Sequence, residues 1–143
     1  MVVCLMSKLR TAIDANLLIA AWSARAPLFA TALAILEDPD RILIVSDALW
    51  LEVMPKAIHY RQVAESAFYQ SVFAGAEHQP WSSKIVDSAK LLAQSYGLAA
   101  MDAIHIAVAV AAGADEFVSG EKPGKPMFRV KEIATRSLWE LPS

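Results

Sequence analysis

Gly97-Leu98-Ala99-Ala100-Met101-Asp102-Ala103-Ile104-His105-Ile106-Ala107 is the stretch on which the fold turns. From Asp102 onward the residues spell a helix that is apolar nearly all round, through Val108, Ala109 and Val110 to a stop at Gly113. A helix without a polar face is normally buried on several sides, so other elements have to cover it. Asp102 and His105 also interrupt the longest apolar run, residues 98–114, which makes it a poor membrane span.

Working outward, Gly97 closes the preceding helix in C-cap fashion. That helix starts at Ser83 or its neighbour and carries Ile85, Ala89, Leu92 and Ala93 on one stripe. Downstream, residues 116–119 read as a short strand leading straight into Gly120-Glu121. A loop over 122–126 follows, and a last strand is expected over 128–133. Towards the N-terminus, residues 9–14 form a strand ending in a carboxylate, and 16–22 a short helix. Pro27 suits the first turn of a second helix to about Leu36, which Asp38-Pro39-Asp40 breaks. Residues 41–45 (R-I-L-I-V) are a strand. Ser46 or Asp47 then caps a helix that Pro55 should kink or end. A longer helix is expected over 60–73 and a loop over 75–80. Strands separated by helices imply a mainly parallel sheet of four to five short strands with helices on both faces, a three-layer α/β/α arrangement. The site of such a sheet usually lies at the carboxyl ends of its strands.

The chain has 143 residues, 56% of them hydrophobic, which suits one domain (1–143) with a real core. Its formal net charge is −2, against the basic surplus of a simple nucleic-acid binder. A metal nuclease is less affected, because bound cations add positive charge where phosphate sits. Cys4 is the single cysteine, which rules out an intrachain disulfide and a cysteine-rich zinc site. Residues 1–8 are expected to be a frayed leader, since the apolar start is too short for a signal-peptide core. A cytoplasmic protein is expected.

Three carboxylates stand in apolar company. Asp14 lies between Ile13 and Asn16-Leu17-Leu18-Ile19, Glu52 lies within Trp50-Leu51-Glu52-Val53-Met54, and Asp102 stands at the mouth of the most apolar helix. An ionised carboxylate is costly to bury alone. Each has an ordinary reading. Asp102 and Asp14 could be N-caps, and Glu52 could pair with Lys56 at i+4. A single account of all three is a cage of oxygen donors suited to Mg²⁺ or Mn²⁺. Such ions polarise phosphate oxygens and lower the pKa of water, the chemistry of phosphodiester hydrolysis.

These residues resemble the PIN domain and, within it, the VapC-type toxin ribonucleases. The stretch from Ile13 through Asp14, Ala15 and Asn16 to Ile19 is similar to the family's opening, and Leu51-Glu52-Val53 to its second motif. The run from Gly97 to Ala107 is similar to the third, and Phe117-Val118-Ser119-Gly120-Glu121 to the fourth. The resemblance implies that Asp14, Glu52, Asp102 and Glu121 are the catalytic, metal-holding acids. It implies that Asn16 and Ser119 brace the site, with His105 beside it. Glu121 departs from the usual Asp by one methylene, and the continuation Pro123-Gly124-Lys125-Pro126 is uncommon.

The expected function is therefore that of a Mg²⁺- or Mn²⁺-dependent endoribonuclease, a hydrolase of RNA phosphodiester bonds. On the resemblance it is the toxin of a toxin–antitoxin pair, a homodimer with an antitoxin partner and no membrane. The alternatives are a PIN-fold binding or regulatory module without catalysis, and a metal-dependent DNA nuclease or phosphatase. Arg25, Lys56, Arg61 and Lys122 are candidate backbone contacts. Trp22, Trp50, Trp81 and Trp139 could stack on bases, though packing is their commoner role. Asp115 and Glu116 are expected to be solvated and Asp47 to be a cap. His59 and His78 are expected to be exposed, and residues 60–73 to present an apolar surface for a partner.

Overall fold

The computed structural model describes residues 7–24 and 27–142. Five short strands form one sheet: β1 (Leu9–Ile13), β2 (Arg41–Val45), β3 (Glu77–His78), β4 (Glu116–Ser119) and β5 (Ala134–Ser137). Their order is β3-β2-β1-β4-β5, and every pairing is parallel. Six helices connect them: α1 (Ala15–Ser23), α2 (Leu28–Leu36), α3 (Asp47–His59), α4 (Val63–Ala74), α5 (Ser83–Tyr96) and α6 (Ala100–Ala111).

Strand residues alternate between two cores, as a twofold side-chain period requires. Ile13, Leu43, Val45 and Val118 face α1 to α4, where they meet Leu17, Leu18, Leu49 and Tyr69. Ala12, Ile44 and Phe117 face α5 and α6, where they meet Ile85, Leu92, Ala103, Ile106 and Ala107. The helix around Asp102 is thus buried as its composition demands. Among the described residues, no single helix is long and apolar enough to cross a membrane.

Three expectations are corrected and a fourth is narrowed. The final strand is β5, not residues 128–133. Those residues lie instead in and after a 3₁₀ turn (Pro126–Arg129), and the buried side chains from that turn onward, Met127, Val130 and Ile133, recur every third position rather than every second. Of the two outcomes expected at Pro55, a kink or an end, the end is excluded, since α3 continues to His59. The lost backbone bond is offset by burial of Val53, Met54 and Ala57 on the inner face. The next helix starts at Val63 rather than residue 60, because Arg61 turns the chain with a left-handed φ of 53°. Glu116 is not solvated. It is 3% exposed, accepts from Thr11 Oγ1 at 2.9 Å, and pairs with Arg41 and with Arg136 at 3.1 Å.

Smaller differences follow the same physics. The 75–80 loop contains β3, a two-residue edge strand. Within 60–73 the exposed apolar side chains are Tyr60 and Val63, whereas Tyr69 and Phe73 are core. The expectations for residues 1–6 and Arg25 lie outside the described residues.

Candidate active site

All five strands point the same way, so each connection that follows a strand leaves from one edge of the sheet. Asp14 is the first residue past β1. Its Oδ1 accepts from Leu17 N at 2.9 Å, which caps α1, and from Gly120 N at 3.2 Å. Its Oδ2 accepts from the Ser119 hydroxyl at the end of β4. The side chain is thus both an N-cap and a convergence point between two strands. Burial pushes the Asp14 carboxyl up from the ordinary range, against the three hydrogen bonds and the nearby His105, which favour its ionised form.

Asp102 lies in the first turn of α6, not at its cap, which is Ala99 without a side-chain bond. Its carboxyl is pushed up chiefly by burial, then by the negative charge of Glu121, and least by that of Glu52. Lys125 and His105 pull the other way. The Asp102 carboxyl therefore feels acids from the turns after both β2 and β4. Glu121 Oε1 accepts from Asn16 Nδ2 at 2.6 Å, and its Oε2 is 3.8 Å from Lys125 Nζ. Glu52 on α3 accepts from Nε2 of His105, which is 5% exposed and stacked on Phe117. Glu52 turns to His105 rather than to Lys56.

The four acids expected from the sequence thus lie along one edge. Among the described residues, however, no three Asp, Glu, His or Cys side chains are gathered closely enough to hold a metal ion as they stand. Their chemistry fits a hard divalent cation: every donor is a carboxylate oxygen, and the charge of Glu121 adds to burial in raising the Asp102 carboxyl.

Three further residues shape the edge without having been expected. Gly120 passes so close to α1 that an added Cβ would sit 2.8 Å from Asn16 C and 2.9 Å from Asn16 O. Ser137 Oγ donates to the Glu121 carbonyl at 2.5 Å, and Trp139 Nε1 donates to the Gly120 carbonyl at 3.1 Å. Ser137 escaped because the final strand was placed too early in the chain, and Trp139, named only as a possible base-stacker, was not expected to hold Gly120. Of the basic candidates, Lys122 is at this edge, its ammonium 5.4 Å from the Trp139 ring centroid. Lys56 is exposed on α3, and Arg61 follows that helix. Asp47 opens α3, but Ser46 is its cap.

The family model for the PIN domain matches residues 11–122. No curated protein sequence matches the chain significantly. Among solved structures, VapBC2 from Rickettsia felis bound to a DNA fragment from its promoter aligns at 13% identity and a TM-score of 0.67. The alignment covers 90% of this chain and 98% of that one. A toxin–antitoxin complex from Klebsiella pneumoniae aligns at 24% identity and 0.63, covering 87% and 98%. VapC20 of Mycobacterium tuberculosis, titled a sarcin–ricin loop cleaving toxin, aligns at 12% and 0.64, covering 87% and 98%. At these identities the likeness is one of fold.

Proposed function

Because the chain belongs to the PIN-domain family, we propose that it is a divalent-metal-dependent endoribonuclease acting as one domain, the toxin of a toxin–antitoxin pair. The observation that carries this reading is the placement of Asp14, Glu52, Asp102 and Glu121 along the carboxyl edge of one parallel sheet, where burial and then the charge of Glu121 raise the Asp102 carboxyl. Negative charge concentrated at a strand-end edge is what a cation-assisted phosphodiesterase needs and what a core does not. Asp14, Glu52, Asp102 and Glu121 would hold Mg²⁺ or Mn²⁺. When bound, the cation polarises the scissile phosphate and makes the attacking water easier to deprotonate. Ser119 and the Gly120 N–H orient Asp14, Asn16 orients Glu121, and His105 orients Glu52.

The companion antitoxin and a homodimer belong to the same proposal, as does a cytoplasmic place of action. The antitoxin partner is supported by the toxin–antitoxin assemblies among the fold's neighbours. Tyr60 and Val63, 64% and 75% exposed, are the surface we assign to one of these contacts. Replacing both without effect on dimerisation or antitoxin binding would remove that assignment.

The test is incubation of end-labelled total RNA with purified protein in Mn²⁺, in Mg²⁺ and in chelator, with Asp102→Asn alongside. The sarcin–ricin loop, cut by the M. tuberculosis neighbour, is the first site to map. Discrete cleavage that needs metal and is lost in the variant is expected. Equal behaviour of the two folded proteins under every condition would instead favour a binding or regulatory PIN module. The ties of Glu52 to His105 and of Glu121 to Asn16 are the observations on that side.

A further inference from the structure

We propose that Trp81 and Trp139 are two base-stacking subsites that hold single-stranded RNA across the acidic edge, an inference that rests on the ribonuclease reading above. The sheet order carries it. Along the edge where strands end, β3 leads to Trp81, β2 to α3 with Glu52, β1 to Asp14, β4 to Glu121, and β5 to Trp139. The two indoles therefore follow the two outermost strands, and Glu52, Asp14 and Glu121 follow the strands between them. Four strand spacings of about 4.8 Å put the outer strands roughly 19 Å apart, a span for a few extended nucleotides.

Each indole lines its own cavity. Trp81 shares about 550 Å³ with Leu51, Met101, Ile104 and the carboxylates of Asp47 and Glu52. Trp139 shares about 270 Å³ with Asn16, Ile19, Leu28 and Gly120. Both cavities thus contain a residue of the acidic edge, and both are mainly apolar with a few polar groups, the usual make-up of a small-ligand site. Trp81 is 47% and Trp139 42% exposed, so both rings are within reach of a base. The other two tryptophans differ: Trp22 packs on Phe68 at 5.8 Å, and Trp50 lines neither cavity. Trp139 is held by its bond to Gly120, and Lys122 beside it supplies a cation for the phosphate of the stacked nucleotide. Stacking tolerates any base. Asp47 adds an acceptor in the Trp81 cavity, which favours bases bearing an exocyclic amino group over uracil.

The experiment uses a short single-stranded oligoribonucleotide carrying a mapped cleavage site, and versions abasic at each flanking position. Wild type, Trp81→Ala, Trp139→Ala, the two Trp→Phe variants and Trp50→Ala are compared by KM and kcat. One position on each side of the cut should raise KM roughly five- to hundredfold when its base is removed. Trp81→Ala should erase that penalty at one position with kcat little changed, and Trp139→Ala at the other; Trp139→Phe loses the same bond to Gly120, so its partial recovery of the penalty isolates stacking, and Trp50→Ala should have no effect. Base-removal penalties that persist in both alanine variants overturn the proposal. So does unchanged cleavage combined with loss of antitoxin inhibition, which would make these surfaces a protein dock. A wild type that cuts no RNA sinks the ribonuclease reading and this inference together. Cleavage indifferent to the indoles sinks this inference alone.

Discussion

Asn16 Nδ2 donates to Glu121 Oε1 at 2.6 Å, joining the first turn of α1 to the turn after β4 across 105 residues. Glutamate in place of the family's usual aspartate thus has a partner in this chain. Loss of a residue that orients a metal ligand typically costs 10- to 100-fold. Asn16→Ala should therefore lower metal-dependent cleavage by roughly that factor and leave the melting temperature unchanged, since both side chains are solvent-accessible. Equal activity in Asn16→Ala would show that Glu121 needs no such brace.

Gly120 and Asn16 leave no room for a methyl group, and the blocking atoms are partly backbone. Gly120→Ala should push β4's exit away from α1 and lengthen the Gly120 N–H contact to Asp14. Overpacking of this kind costs about 1–3 kcal/mol. A thermal melt should show the loss, and cleavage should fall with it. A variant as stable and active as wild type would mean the two segments separate freely.

The raised Asp102 carboxyl has a stability consequence in chelator. A carboxyl whose folded pKa exceeds its unfolded one favours folding at low pH, and that contribution is lost as pH rises through the folded value. At pH 7 the ionised group is a net cost, so in chelator Asp102→Asn should melt higher than wild type. The gap should close below the ordinary carboxylate range. A variant that melts lower at pH 7 would contradict the charge crowding.

At the other edge of the sheet, Glu116 accepts from Thr11 and neutralises Arg41 and Arg136. Glu116→Ala leaves Arg41 without its buried counter-charge, and breaking such a pair should cost about 3–5 kcal/mol. Denaturant unfolding would measure it. Residual cleavage per folded molecule should be near wild type, because Glu116 sits at the start of β4 and the acids lie past its end.

Much of this was legible in the chain. The strands at 9–13, 41–45 and 116–119 showed themselves by composition and position, and the all-round apolar α6 demanded two layers of cover. The acids stood out because carboxylates in apolar runs need a reason. What stayed hidden depends on long-range partners. Glu116 reads as a surface acid until Arg41, 75 positions away, is seen beside it. Ser137 and Trp139 belong to the site only through the register of β5, a strand of weak pattern whose predecessor segment holds the apolar residues. The ties of Glu52 to His105 and of Glu121 to Asn16 are rotamer choices that no spacing encodes.

The central claim is that these carboxylates become one cation site, and Mn²⁺ titration by calorimetry tests it most directly. Wild type should bind Mn²⁺ at a defined stoichiometry, and folded Asp102→Asn should lose that binding. A folded wild type that takes up no Mn²⁺ at millimolar concentration, or a variant that binds as well, would contradict the account.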